Sequence, residues 1–561
     1  MDRLLQGTDG LRGRMAGPEV RPQDPVRAFL DDGLLSEPLV ELYAYAAAGW
    51  LLDRSAERRA DRSRSTERGG LARPGALVVA WDPRDPEERF VRAALRGVRK
   101  AGGEALAAGV LPTPAAALYM VAVGAAGALV LTASHNPADQ NGVKLFLGVG
   151  PPNGEARKPL PEEDAELSRR ALEVRWPEVE RSPLAGELRT VASEARGAYR
   201  RYLLEDHERA SLAPFRLVLD VSAGAWGGLA APLLEELGAR EVREVNPQGA
   251  SPVNEGGGVV MLEGRSRVAA SEEALIRGHA GLASLFEMGR ARREELRRGE
   301  GWVACGVLDA DGDRALCLLY DPFEDASLIL AGDELALLLA RLLRGRGRLP
   351  ASPHFACTID SDPGATAAVA ALGFEVALTP VGDKWLLRAA ERAGERFVLG
   401  AEASGHLVLR GRLPTSVHRT AGGGALGPAV GDGLQGLVRG LTAVEALFGG
   451  LPSEARYRAL REPFARSFKR TLYVYYTDRA RFFRDSPAWR EVSAALEREA
   501  EKVFGARYFP QWVDLPDDPD TLFLALRGGE GTQRASLFVR NSGTEARTGL
   551  TLQGPREEAD A

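Results

Sequence analysis

Gly127-Ala-Leu-Val-Leu131, followed at once by Thr132-Ala-Ser-His-Asn-Pro137, reads as a buried strand that ends in a polar turn. Such a turn presents one hydroxyl, that of Ser134, at the C-terminal edge of a sheet, where open α/β folds bind ligands. Outward from it, one pattern occurs three times: a short apolar strand, an Asp at or near its end, turn residues and an amphipathic segment. The three openings are Ala76-Leu-Val-Val-Ala-Trp-Asp82, Arg216-Leu-Val-Leu-Asp220 and Phe355-Ala-Cys-Thr-Ile-Asp360. Strands alternating with helical stretches read as parallel α/β units, so the fold class is α/β with three related domains. Apolar spacing predicts a helix over Asp333–Leu343. Beyond a linker at Gly449–Ser453, the β-prone runs Thr471–Tyr476 and Thr521–Leu526 predict a smaller α+β domain.

A chain of 561 residues exceeds one hydrophobic core and implies three or four domains. Lys plus Arg number 72 against 78 Asp plus Glu, so no global basic field favours nucleic acid, and an anionic substrate must be met by local cationic clusters. The three cysteines (Cys305, Cys317, Cys357) lack Cys-x-x-Cys spacing, which argues against a disulfide framework or structural zinc and for a reducing cytoplasm. No signal peptide or membrane-spanning run is read. The segment from about 15 to 75 reads as irregular. Its Arg54–Arg64 run reads as a solvated face or loop, with an anion-binding surface as the alternative, and Pro151–Pro161 reads as a surface loop.

Asp309, Asp311 and Asp313 follow the apolar strand Trp302–Leu308, and in an extended chain their carboxylates point to one side. Two such charges about 4 Å apart repel by roughly 4 kcal/mol at an effective dielectric near 20, so the triplet calls for a cation. All-oxygen ligands select a hard one, Mg²⁺ before Ca²⁺. An EF-hand is excluded because its twelfth position is Tyr320 and a strand precedes the loop. Arg314 suits phosphate contact, with a simple salt bridge as the alternative. Beside a cation, a phosphorylated Ser134 becomes a phosphoryl donor, and Lys144 of Asn141-Gly-Val-Lys144 can reach the same turn. Glu402 and Ser404 at alternate positions suit two vicinal sugar hydroxyls, and His406 suits proton transfer near neutral pH. Arg540-Asn-Ser-Gly-Thr-Glu545 combines a guanidinium, hydroxyls and a Gly turn into an anion cradle.

These four motifs, in this order, resemble the α-D-phosphohexomutases over nearly the whole chain. The resemblance implies four domains around a central cleft: 1–190 with the phosphoserine loop, 191–316 with the metal loop, 317–450 with the sugar loop, and 451–561 with the phosphate loop. Gly7-Thr-Asp-Gly-Leu-Arg-Gly13 matches the family's opening motif, which implies that Thr8 and Arg12 line the site. It further implies a phosphorylated Ser134, which is also a metal ligand with Asp309, Asp311 and Asp313, with His135 beside it and Lys144 as acid/base. Arg314, Glu402, Ser404, His406, Arg540, Ser542, Gly543 and Thr544 take family positions, and Thr379-Pro-Val-Gly-Asp-Lys384 resembles the third domain's extra substrate loop (Thr379, Gly382, Lys384). The chain departs from the family at Ala546, where many members carry Pro, and at Gly549, where many carry Arg; Arg547 lies two residues earlier. The closing helix is expected to be short or absent, and the Arg-rich Gly289–Arg298 stretch matches no family role.

The resemblance implies an isomerase that interconverts hexose 1-phosphate and hexose 6-phosphate through a bisphosphorylated sugar. One Mg²⁺ per active site and a hexose 1,6-bisphosphate activator are expected. The substrate reading is mannose or glucose phosphate, with phosphoglucosamine mutase or a weakened sugar-phosphate-binding paralogue as alternatives. The expected partner is a small sugar phosphate, with no nucleic acid or membrane, and the enzyme a cytoplasmic monomer or dimer.

Overall fold

The computed structural model describes residues 5–7, 10–62, 73, 75–149, 155–347, 349–409, 430–475, 477, 481–505, 507–529, 531–541 and 547–559. Thr8, Ser542, Gly543, Thr544 and Ala546 therefore lie outside the described residues. The chain forms two compact units, Met1–Leu330 with His406–Ser453, and Ala331–Gly405 with Glu454–Ala561. Helices and mixed sheets alternate through both, an α/β fold with several domains.

In the first unit the opening sheet runs Leu34–Leu35, Leu11–Met15, Gln140–Val149, Gly127–Leu131, Ala76–Trp81, Glu104–Val110, Leu188–Thr190. Its centre is parallel, Ala76–Trp81 lying between Gly127–Leu131 and Glu104–Val110. Every residue of Ala76–Trp81 and Gly127–Leu131 is buried, as strands covered on both faces must be. One cover is the helix Glu37–Arg62 packed on Arg89–Lys100. The stretch expected to be irregular thus holds two helices, Pro25–Asp32 and Glu37–Arg62. The physical reason is a stripe of Leu39, Leu42, Tyr43, Ala46, Ala47, Trp50 and Leu51 at three- and four-residue spacing, all buried in the core. The two helices approach closely, since a Cβ at Gly97 would lie 2.3 Å from the Glu41 carbonyl oxygen. Arg54 pairs with Glu163 at 2.9 Å and lies over the Trp50 ring, so its guanidinium serves packing.

The second sheet of this unit runs Glu241–Val245, Phe215–Asp220, Trp302–Leu308, Ala315–Asp321, Ala326–Leu330, Arg267–Ala269. The first three strands are parallel and the rest form an antiparallel meander. The expected boundary at 316/317 falls inside strand Ala315–Asp321, because that strand is the hairpin partner of Trp302–Leu308; the sheet continues to Leu330. Nor is 317–450 one body: His406–Ser453 returns to the first unit, where helix Gly433–Phe448 packs on Ala315–Asp321. The contact is close, as a Cβ at Gly306 would lie 2.3 Å from Leu437 Cδ2. In the Arg-rich stretch 289–298, Arg290 pairs with Asp325 and Arg298 with Glu300, and both are surface pairs.

In the second unit, strand His354–Thr358 lies parallel between Glu375–Thr379 and Phe397–Ala401. Helix Gly332–Gly345 spans the predicted 333–343 segment. A five-stranded antiparallel sheet follows, in the order Ser467–Tyr475, Arg547–Pro555, Gln533–Asn541, Leu522–Arg527, Phe509–Trp512. Helix Pro487–Phe504 covers one face through Ala500 and Phe504, while Phe523 and Phe538 on the other meet Ile359. Among the described residues no helix is long and apolar enough to cross a membrane.

Candidate active site

Two strand ends build the Ser134 turn. Asp82, just past strand Ala76–Trp81, accepts hydrogen bonds from Thr132 Oγ1 at 2.5 Å and from Arg84 Nε at 2.8 Å. Thr132 Oγ1 in turn accepts from the Ser134 N–H at 2.8 Å. The buried Arg84 guanidinium continues to the carbonyl oxygens of Ser134 (2.6 Å) and Gln140 (2.9 Å). These bonds hold Ser134 at φ +53°, in the left-handed region, where an L-residue is strained by about 1–3 kcal/mol. Strain of this kind gathers at functional sites because the surroundings fix it, and here the result aims Ser134 Oγ at Asp309 Oδ2, 2.6 Å away. Arg12 donates to Asn136 Oδ1 in the same turn at 3.3 Å.

The aspartate triplet does gather, though not in an extended chain as expected. The Gly312 N–H bonds back to the Asp309 carbonyl at 3.1 Å, and Gly312 sits at φ +71° under the Trp226 indole, whose Nε1 donates to its carbonyl. This turn brings ligand oxygens of Asp309, Asp311 and Asp313 within 4.8 Å of one another, all buried. Lys144 Nζ bridges Asp311 Oδ2 (2.7 Å) and Asp313 Oδ2 (2.6 Å). Thr113 secures Asp311 twice, its hydroxyl to Oδ2 and its N–H to the Asp311 carbonyl at 2.9 Å. Asp311 Oδ1 is buried with no hydrogen-bond partner among the described residues, and burial together with the Asp311 and Asp313 charges pushes Asp309 up to about 7. Burial also disfavours the Asp313 carboxylate, yet the Lys144 and His406 nitrogens hold it well below its ordinary range. An excess of buried carboxylate oxygen, with Asp311 Oδ1 and Asp313 Oδ1 accepting no hydrogen bond among the described residues, fits a hard divalent cation. Asp309, Asp311, Asp313 and a phosphate oxygen on Ser134 are the groups that would hold it.

His406 Nε2 lies 3.2 Å from Asp313 Oδ1, and the His406 backbone bridges to Arg314. The histidine expected beside the sugar reader therefore stands on the aspartate cluster. Arg314 donates its N–H to Asp309 Oδ1 at 3.2 Å, and its guanidinium lies 3.6 Å from Glu263 and 3.9 Å from Asp309. Arg314, with burial and Arg12, holds His135 down at about 2, so its imidazole stays neutral. Its Nδ1 is buried without a hydrogen-bond partner among the described residues.

In the second unit, Glu402 Oε1 accepts the Gly382 N–H at 2.7 Å, and Ser404 Oγ lies 3.4 Å from Glu402 Oε2. The sugar-loop residues and the 379–384 loop are thereby joined. The buried hydroxyl of Thr379 donates to the Cys357 and Pro380 carbonyls and so shapes the loop. Lys384 is buried, with Nζ 4.9 Å from the Trp385 ring centroid. Arg540 lies opposite Gly549 in the antiparallel ladder, and Arg547 opposite Tyr475. With a side-chain period of two, Arg540 and Arg547 share one face. Arg547 packs 4.3 Å from the Tyr473 ring, and Arg540 lies 3.9 Å from Asp360.

Reading the motifs alone misses Arg84, Thr113 and Asn254, which donates from Nδ2 to the Ser134 carbonyl at 2.9 Å. The only local signal among these was Asp82 at a strand end, two residues before Arg84.

Residues 65–160 match the phosphoglucomutase/phosphomannomutase alpha/beta/alpha domain I, and residues 331–445 match domain III of the same family. A phosphoglucosamine mutase from Frankia alni is 30% identical over 405 residues, covering 71% of this chain and 76% of that protein. Another from Saccharopolyspora erythraea is 30% identical over 428 residues, covering 76% and 77%. In fold, the chain is similar to the crystal structure of a phosphoglucomutase/phosphomannomutase family protein from Burkholderia thailandensis. That match has a TM-score of 0.60 at 18% identity and covers 99% of this chain and 94% of that one. With relatives of 30% identity that cover more than two thirds of its length, and two regions that match one family, this phosphosugar mutase belongs to the α-D-phosphohexomutase superfamily.

Proposed function

We propose that this enzyme is a phosphoglucosamine mutase that works through a phosphoserine at Ser134. The carrying observation is Ser134 Oγ set 2.6 Å from Asp309 within the buried triplet. The substrate rests on the relatives: those with 30% identity over three quarters of their length bear that name, which favours the amino-sugar reading over mannose or glucose phosphate.

In the proposed cycle the Ser134 Oγ–P bond breaks as a sugar hydroxyl oxygen bonds to phosphorus, which gives a bisphosphorylated sugar. The hydroxyl proton must leave as that bond forms. Lys144 and His406, the nitrogen groups on the aspartates, are assigned to move it and to return it in the second half-reaction. Reversal of the sugar in the site then places its other phosphate against Ser134. Mg²⁺ on the aspartates would supply charge stabilisation for the transferring group. Glu402 and Ser404 read sugar hydroxyls, Gly382 and Lys384 border them, and Arg540 and Arg547 hold the non-reacting phosphate on one sheet face. Thr8, Ser542, Gly543 and Thr544 are assigned to substrate as in the family, and Arg12, His135 and Arg314 surround the phosphoserine. A hexose 1,6-bisphosphate is proposed to phosphorylate Ser134 at the start.

The test is a coupled assay with glucosamine, mannose and glucose phosphates, in Mg²⁺ with glucose 1,6-bisphosphate. The expected result is kcat/KM highest for glucosamine phosphate, with phosphate on Ser134 by peptide mass and none of this activity in Ser134→Ala. Higher kcat/KM for mannose or glucose phosphate overturns the substrate; full activity in Ser134→Ala overturns the mechanism.

A further inference from the structure

We infer that Asn254, which lies outside every sequence motif, is a positioning residue that locks the nucleophile turn to the metal-loop sheet. The inference rests on the reading of Ser134 as the phosphoryl carrier. Asn254 Nδ2 donates to the Ser134 carbonyl at 2.9 Å and to the Asn136 carbonyl at 3.1 Å, so its two amide hydrogens span the peptide that carries His135. The Ser134 carbonyl also accepts from Arg84 at 2.6 Å, so both of its lone pairs are engaged. Arg84 follows strand Ala76–Trp81 of Ser134's own sheet, whereas Asn254 lies in the loop that follows strand Glu241–Val245 of the unit's other sheet.

The far end of Asn254 is fixed just as closely. Its N–H donates to the Ser222 carbonyl at 2.9 Å. The Ser222 hydroxyl donates to the carbonyl of Leu308, the residue before Asp309, and the Ser222 N–H donates to Asp220 at 2.9 Å. Asp220 also accepts from Asn246 at 3.0 Å and from the Gly258 N–H at 3.1 Å, which folds the 246–258 loop over the strand end. Asn254 sits at φ +62° and Ser222 at φ +53°, a left-handed pair that turns the loop toward the nucleophile. An unbroken path of hydrogen bonds therefore runs from the residue before the aspartates, through Ser222 and Asn254, to the serine carbonyl. Asn is suited to its place, being a double amide donor that tolerates the left-handed backbone. Its function is to keep Ser134 Oγ in register with Asp309 while the phosphoryl group leaves and returns. Both of its amide hydrogens are engaged by backbone carbonyls of the serine turn, so it should act on transfer and not on substrate affinity.

The experiment uses the full chain with Asn254→Asp, which keeps the shape but turns the donor into an acceptor facing two carbonyls. Asn254→Gly is the companion, keeping the left-handed backbone without a side chain. First, peptide mass locates phosphate on Ser134 of the wild type; its absence there refutes the phosphoserine reading itself. Steady-state and single-turnover transfer from phospho-Ser134 to glucosamine phosphate are then measured per folded molecule, with folding followed by circular dichroism. The expected result is a fall in transfer rate of about 10–100-fold in Asn254→Asp and a smaller fall in Asn254→Gly, with KM within about two-fold of wild type, because misplacement of order 1 Å acts on the reacting geometry. Wild-type transfer rates in both variants overturn the inference, as does a raised KM at unchanged kcat, or a loss that only follows the folded fraction.

Discussion

Gly312 folds the backbone that gathers the three aspartates, and Gly312→Ala exposes that link. The residue sits at φ +71°, where an L side chain costs about 1–2 kcal/mol. The added Cβ would also lie 2.1 Å from Trp226 Nε1, well inside contact distance, and forcing a methyl into packed surroundings costs typically about 1–3 kcal/mol. The two costs together put the loss at roughly 2–5 kcal/mol, a large part of a typical folding stability of about 5–15 kcal/mol. Moving the indole breaks its bond to the Gly312 carbonyl, so the turn opens and the Asp311 and Asp313 carboxylates separate. Gly347→Ala provides the control, since Gly347 is also left-handed (φ +63°) but its Cβ would meet nothing within 4 Å among the described residues; it isolates the backbone cost. Urea denaturation of both variants measures stability, and Mn²⁺ titration measures metal affinity. Gly312→Ala should lose clearly more stability than Gly347→Ala and bind metal at least about ten-fold more weakly, the equivalent of about 1.4 kcal/mol. Equal stability losses in the two variants with unchanged metal affinity would refute the reasoning.

Two further outcomes are expected. Burial, with Glu334 and Asp362 nearby, raises Asp333 to about 7 from a model-peptide value near 3.8. The folded state therefore keeps a proton that the unfolded chain releases, and stability should fall as pH rises from about 4 to 7, by up to roughly 4 kcal/mol. Asp333→Asn retains an acceptor for the Asp362 N–H and should flatten that fall, so its melting temperature should exceed that of the wild type at pH 8 but not at pH 4; an unchanged pH profile would disprove the assignment. On the phosphate face, Arg540→Ala and Arg547→Ala should each raise KM about ten-fold or more. The double variant should raise it by less than the product, because residues holding one phosphate couple; strictly multiplicative effects would separate their roles.

Much of the site was readable because it is written in short local units. Strand Trp302–Leu308 lies where the apolar run placed it, and strand Ala76–Trp81 stops one residue before the Asp82 that the repeated opening pointed to. What local patterns could not show is how distant turns meet. Asp311 is secured by Thr113 and Lys144, 198 and 167 residues away, and Asn254 reaches Ser134 across 120 residues. Thr113 and Asn254 have no spacing or composition that marks them, and Lys144 was marked only as reaching the serine turn, because the geometry belongs to the assembled sheets. The helix Glu37–Arg62 escaped notice for another reason: its buried face mixes Ala44, Ala46, Ala47 and Ala48 with the larger side chains, and Ala contributes little hydrophobic contrast against an Arg-rich tail.

The two departures at the site share a cause in glycine. Alternation along an extended chain would have aligned the three aspartates, but Gly312 at φ +71° folds them round a turn, so they meet through curvature. Likewise the even spacing of Glu402, Ser404 and His406 suggested one cluster. Gly405, at φ +100°, closes a turn back to the Glu402 carbonyl at 3.0 Å, and His406 goes on to the aspartates while Glu402 stays with Gly382. One five-residue run, Glu402–His406, thus feeds two clusters: its carboxylate stays with the Gly382 N–H and its imidazole with Asp313. A single glycine divides them, so a substitution at Gly405 should disturb substrate reading and proton transfer together.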